Sequence, residues 1–241
     1  MLAPLGLMVA LATFLPATMG HYTFQNLLYK GIKYPDYTYI RRTFNHISHF
    51  PLFDLNSTTM RCFEDENIPN PGTLTVKAGD TVGFYVDGRI IHEGPLVWYM
   101  AKAPSGKTAA TMDGSGPVWF KINQTTPYIG TTPAPIETFK WPHYNATEVH
   151  MQIPKCIPSG DYLLRVEHIA IHIAFLEGQH EFFGACAQLK VTNGLGTGAP
   201  WPFAQFPGAY RTDEPGLFLN VHENWVQPQR YEVPGPPVWT C

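Results

Sequence analysis

The chain has 241 residues, 44% of them hydrophobic and 15% charged, and 16 basic against 19 acidic side chains leave a formal net charge of -3. With no cluster of Lys and Arg, that balance excludes a nucleic-acid partner, and the length suits one large β domain or two small ones. Gly (21 residues) and Pro (23 residues) punctuate the whole chain, and no long stretch keeps a helical period.

Met1 to Gly20 has no charged side chain, and its apolar run Leu5 to Leu15 is too short to cross a bilayer comfortably. It ends in Pro16-Ala17-Thr18-Met19-Gly20, with small residues at the last position and two before it, as signal peptidase prefers. Residues 1–20 are therefore expected to be a signal peptide; the competing readings are a buried N-terminal strand or an anchor. No later stretch is expected to span a membrane, so the mature protein is read as secreted and extracellular, with no membrane partner. Lys30 to Met60 reads as a long surface loop. Thr73 to Val76 then leads through the Ala78-Gly79-Asp80 turn into a second strand, Thr81 to Val86. Met100 to Ile153 reads as another long loop. Gly160-Asp161 introduces a strand over Tyr162 to Val166, and Ala185 to Val191 alternates small or polar with apolar side chains. Short alternating segments between turns predict an all-β protein, an immunoglobulin- or fibronectin-like antiparallel β-sandwich with long surface loops. With no internal repeat and no linker, residues 21–241 are read as a single domain.

Four cysteines, Cys62, Cys156, Cys186 and Cys241, are an even number in a secreted chain, which predicts two disulfides and leaves three pairings open. Sequons at Asn56, Asn123 and Asn145 are candidate glycosylation sites on the same route. Cleavage after Gly20 exposes His21-Tyr22-Thr23-Phe24. An N-terminal histidine offers its α-amine and an imidazole nitrogen in one chelate ring. A second imidazole completes a T-shaped three-nitrogen site, which suits copper better than zinc.

His92 is the candidate second imidazole. It lies in Ile91-His92-Glu93-Gly94-Pro95, where the Gly-Pro pair marks the turn at the end of a strand. The segment Ile91 to Lys102 resembles the second copper-histidine motif of the fungal lytic polysaccharide monooxygenases of auxiliary activity family 9. Asp113-Gly114-Ser115-Gly116 with Trp119 to Ile122, Gly160 to Arg165, Cys186 to Leu189, Phe206 to Tyr210 and the ending Pro234 to Cys241 resemble that family in the same order. The resemblance implies one copper ion per chain, held by His21 and His92. It also implies His172 and Glu181 as residues positioning an oxygen species, and Phe183 on the axial side of the metal. The family usually has Gln and Tyr where this chain has Glu181 and Phe183; an acid and a Phe in these roles resemble other, mainly bacterial, families of the class. Glu181 and Phe183 lie two apart and so share one face of a strand, while Cys186 points the other way, into the sandwich. The family pattern implies Cys62–Cys186, leaving Cys156–Cys241.

The reaction so implied is oxidative cleavage of a glycosidic bond with oxygen or hydrogen peroxide, cellulose being the first substrate expected and hemicellulose the next. Electrons would come from a small reductant or a reductase such as cellobiose dehydrogenase, since no flavin or haem motif is present, and the chain is expected to act as a monomer. Tyr210 is expected to be exposed and to stack on sugar, with Trp225 and Tyr231 as weaker candidates for the same face. His46 and His49 read as a solvated loop pair, and His168 as structural. Two rival classes remain: a copper- or carbohydrate-binding sandwich without oxygenase activity, and a glycoside hydrolase. The hydrolase would need a close carboxylate pair, and Glu181 has no obvious partner for one.

Overall fold

The structure is a computed structural model and describes residues 20–65, 68, 70–129, 139–196, 200–221 and 228–241; of the expected signal peptide, all but Gly20 lies outside that range. Within it run β1 (Thr23–Tyr29), β2 (Ile32–Lys33), β3 (Leu74–Lys77), β4 (Thr81–Asp87), β5 (Leu96–Lys102), β6 (Trp119–Gln124), β7 (Tyr128–Ile129), β8 (Phe139–Lys140), β9 (Glu148–Gln152), β10 (Pro158–Ala170) and β11 (Glu181–Leu195). Two sheets, ordered β2-β1-β4-β9 and β3-β11-β10-β5-β6, form the β-sandwich, and β7 pairs with β8 alone. One pairing departs from the antiparallel expectation: β3 runs parallel to β11, with Leu74 opposite Leu189. The expected loop from Met100 to Ile153 also contains two ladder strands, β6 and β9.

The sheets enclose a core that includes Phe24, Phe84, Trp98, Tyr162, Leu164 and Phe183. The five-stranded sheet is covered on its outer face as well, where Phe63, Trp119, Leu163, Phe182, Phe206 and Tyr210 form a second core under the loops. Antiparallel sheets commonly leave one face wet; here β10 is buried on both faces from Tyr162 to Ala170. Cys186 belongs to this outer core and Phe183 to the inner one. The expected opposition of their side chains therefore holds, but Phe183, not Cys186, points into the sandwich. Disulfides join Cys62 to Cys186 and Cys156 to Cys241, so the first staples the 62 loop onto the outer face of β11.

Charges are buried in the outer core. Arg165 and Glu167, alternate residues on the same face of β10, form a fully buried ion pair. Arg165 also donates to the Met60 and Arg61 carbonyls, and Tyr210 donates to Glu167 Oε2 at 2.5 Å. Lys121 on β6 is buried too, donating to Gln124 Oε1 at 2.9 Å and to the Pro234 carbonyl at 2.8 Å. Burial holds the Lys121 ammonium down to about 8, against a partial upward pull from Glu167 and Glu214. An unfolded lysine keeps its proton to ~10.4. Between those values the unfolded chain binds a proton that the folded chain lacks, so stability rises with pH across the window. From pH 8 to 9.5 the wild type should gain about 1–2 kcal/mol relative to Lys121→Met. Urea unfolding at the two pH values checks this, and identical slopes in both proteins would mean that the ammonium is not shielded from water.

Candidate metal centre

The site lies at one end of the sandwich, where three chain segments meet. His21 immediately precedes Tyr22 and Phe24, whose rings are fully buried, and β1 is held against β4 by the Thr23–Asp87 and Phe24–Val86 pairs. Tyr22 stacks on Phe183 with ring centroids 4.4 Å apart, and its hydroxyl bonds to His168 Nδ1. His92 sits in the loop between β4 and β5. That loop is laced to the end of β10: Ile169 N donates to the Pro95 carbonyl at 3.0 Å and Ile171 N to the Glu93 carbonyl at 2.8 Å. Gly94 permits the approach, because a β-carbon there would lie 1.8 Å from the Ile169 oxygen and the residue has φ +149°. The lacing brings His92 against His172, their rings stacked 4.0 Å apart and 6° from parallel. Antiparallel pairing sets Glu181 opposite Ala170 and Phe183 opposite His168, which delivers Glu181 to the same place from β11.

One ligand atom each from His21, His92 and Glu181 lies within 4.8 Å of the other two, and the two imidazole centroids are 6.0 Å apart. His92 Nε2 and Glu181 Oε2 are buried without a hydrogen-bond partner and face each other at 3.8 Å. A buried polar atom left unsatisfied is costly, so this donor set fits a divalent metal ion that would satisfy both. Burial, then the neighbouring His172 and His21, lowers the His92 pKa to about 4. Burial, then His49, lowers that of His21. Imidazoles neutral at physiological pH are in the form that binds metal. Burial also pushes the Glu181 carboxyl up to about 7. The 3.8 Å approach of His92 and Glu181 is therefore no salt bridge at neutral pH, because the imidazole is uncharged.

The sequence profile of Auxiliary Activity family 9 (formerly GH61) matches residues 21–231. The chain belongs to auxiliary activity family 9. It is 46% identical to AA9 family lytic polysaccharide monooxygenase H of Malbranchea cinnamomea, over 92% of this chain and 94% of that one. It is 47% identical to AA9 family lytic polysaccharide monooxygenase A of Thermothielavioides terrestris, over 92% and 93%. Among solved structures it resembles CvAA9A with a TM-score of 0.75 and 27% identity, covering 91% of this chain and 98% of that one. Membership of this family makes the protein an enzyme of oxidative polysaccharide cleavage.

Against that family identity, several residues lie elsewhere than expected. Tyr210 is not an exposed sugar platform: it is 5% exposed. Its ring stacks on Phe182, and its hydroxyl serves Glu167 and Tyr99. The buried Glu167 carboxylate needs that donor, which draws the ring inward. Tyr231 is likewise engaged, donating to the Gly216 carbonyl at 2.8 Å and edge-on to Trp141, while Trp225 lies outside the described residues. His49 is not solvated. It is buried with φ 58°, and its Nε2 lies 3.3 Å from Asp87 Oδ2; His46 Nδ1 meets the Thr43 carbonyl at 3.0 Å. Beside His49, Phe50 is 59% exposed and its ring lies 5.3 Å from that of His21. Sequence reasoning missed Phe50, whose only signal is an aromatic residue in a long loop of a secreted chain. Asn56, Asn123 and Asn145 are all exposed.

Gly94 offers a test of how this family 9 site is positioned. Gly94→Ala should lower stability by about 2–4 kcal/mol and loosen the His92–His172 stack. Denaturant unfolding reads the first effect and titration of the mature protein with Cu(II) the second. Unchanged values in both would mean that the loop does not depend on the close approach to Ile169.

Proposed function

We propose that the secreted protein begins at His21 after loss of residues 1–20, as a single domain spanning 21–241. We further propose that the His21 α-amine, the His21 imidazole and His92 hold one copper ion per chain. The observation that carries this reading is the convergence of His21, His92 and Glu181 donor atoms within 4.8 Å. The family match starting at His21 supports the cleavage point, and two disulfides fit an oxidising, extracellular compartment. Among the described residues no helix is long and apolar enough to cross a membrane. A complete donor set within one chain fits action as a monomer.

Copper bound there would supply one-electron chemistry with oxygen or hydrogen peroxide, enough to break a C–H bond beside a glycosidic linkage. The protein's own part is to hold donors and to present substrate. His172 stacks on His92 and sets the plane of its ring. Phe183 packs 5.8 Å from the His21 ring and 6.1 Å from the His92 ring, and closes the β11 side without offering a donor. Phe50 beside His21, Ile91 beside His92, and Phe175 and Leu176 between His172 and Glu181 are exposed apolar side chains. Such side chains suit the apolar faces of sugar rings, with cellulose the first choice and hemicellulose the next. Electrons would come from a small reductant or a partner reductase such as cellobiose dehydrogenase.

Product analysis on cellulose with and without ascorbate tests the reading. Oxidised sugars that appear only with the reductant are expected. Unoxidised sugars without reductant would instead identify a hydrolase, and tight copper binding with no product a binding module.

Two variants carry the reading further. A residue retained before His21 ties the His21 α-amine into a peptide bond and so removes one of the proposed copper donors. Protein made with Gly20 in place should bind Cu(II) at least tenfold more weakly than protein starting at His21. Phe50→Ala should weaken cellulose binding roughly three- to tenfold, whereas Tyr210→Phe should leave it unchanged and cost about 1–3 kcal/mol of stability. Pull-down on cellulose and denaturant unfolding separate the two.

A further inference from the structure

We infer that Glu181 is itself a metal ligand, its carboxylate oxygen binding the ion together with His21 and His92, in place of the positioning role that the family resemblance implies. The inference rests on the proposed copper site and concerns what completes it. Two donors that each sit ~2 Å from one ion are separated by roughly 3–4 Å when the angle between them is open. His92 Nε2 and Glu181 Oε2 are 3.8 Å apart, with the third donor atom, from His21, within 4.8 Å of both.

Three further observations point the same way. Neither His92 Nε2 nor Glu181 Oε2 has a hydrogen-bond partner, although both are buried. Glu181 is 6% exposed, and a buried carboxyl keeps its negative charge only when it is paired or metal-bound. Every Lys and Arg whose ion pairs are seen among the described residues is paired with some other acid. Finally, Phe183 leaves the neighbouring position on this face of β11 without an oxygen donor, so the strand has one group to offer the ion, and Glu181 is that group.

The consequence is a site of three nitrogens and one anionic oxygen. One negative charge in direct contact with the ion favours Cu(II) over Cu(I). Two imidazoles and a glutamate are also a donor set that Zn(II) uses.

The test uses mature protein starting at His21, as wild type and as Glu181→Gln, which keeps the side chain's shape and removes its charge. If Glu181 is a ligand, Cu(II) affinity measured by competition titration should fall more than about a hundredfold in the variant, beyond the roughly ten- to a hundredfold that a change outside the coordination sphere costs. Zn(II) affinity should fall as well. The electron paramagnetic resonance spectrum of the Cu(II) protein should change its g and hyperfine values, and the reduction potential should rise. Equal thermal unfolding of the two metal-free proteins guards against misfolding, and Glu181→Asp provides a second carboxylate if Glu181→Gln fails to fold. Identical spectra and affinities in wild type and Glu181→Gln would overturn the inference while leaving copper at His21 and His92 intact. Failure of the wild type to bind Cu(II) would overturn both.

Discussion

The antiparallel pairing of β10 with β11 is the constraint on which the rest of the molecule hangs. It runs without interruption from Gly160 opposite Val191 to Ala170 opposite Glu181, and its register decides three things together. Phe183 is turned toward Tyr22 and the inter-sheet core. Cys186 is turned outward to its partner Cys62. Glu181 arrives beside the loop that carries His92. Because side chains alternate with a period of two, a slip of one residue would send each of them to the opposite face. The disulfide from Cys62, the ladder to β5 and the buried Arg165–Glu167 pair all make that slip costly.

Much of the sandwich was legible in the sequence, and the errors have identifiable causes. Thr73–Val76 and Thr81–Val86 fall within a residue of β3 and β4, because Ala78-Gly79-Asp80 marks the turn between them. The strand seen at Tyr162–Val166 stops short of the real β10 because Glu167 and His168 look polar. Their burial is made possible by Arg165 and Tyr210 for the one and by Tyr22 for the other. Those partners come from distant points of the chain, and no local pattern announces them. β9 was missed although it alternates Glu148, Val149, His150, Met151 and Gln152 perfectly; it is five residues long and lies in a stretch dominated by Pro and Thr.

The candidate metal centre was legible by motif rather than by periodicity. His21 owed its prominence to the cleavage pattern, and His92 to the Gly-Pro turn behind it, which is also the feature that fastens it to Ile169. Tyr210 was misread because Gly and Asp neighbours signal a turn without saying which way a ring on that turn will face. Phe50 and His49 were not legible, because the path of a thirty-residue loop is set by what it packs upon. The exposed Phe50 ring beside His21 therefore lies where periodicity carries no information. Electrostatically the centre is simpler than its count of histidines implies. Burial lowers the pKa of His92, His143 and His168 and raises that of Glu181.

The two cores touch opposite faces of the same sheet, and that arrangement divides the molecule mechanically. The loops over the outer face are held by an apolar core of their own and by deeply buried polar anchors, Lys121 to Pro234, Arg165 to Met60 and Tyr210 to Glu167. Phe183, Tyr22 and the imidazoles sit at the rim of the inner core. Regions that share few apolar contacts open as separate cooperative units. The outer cover can therefore open without unpacking β1, β4 and the residues between the sheets. Movement of the outer cover then need not reach Tyr22 and Phe183, whose rings stack together beside His21.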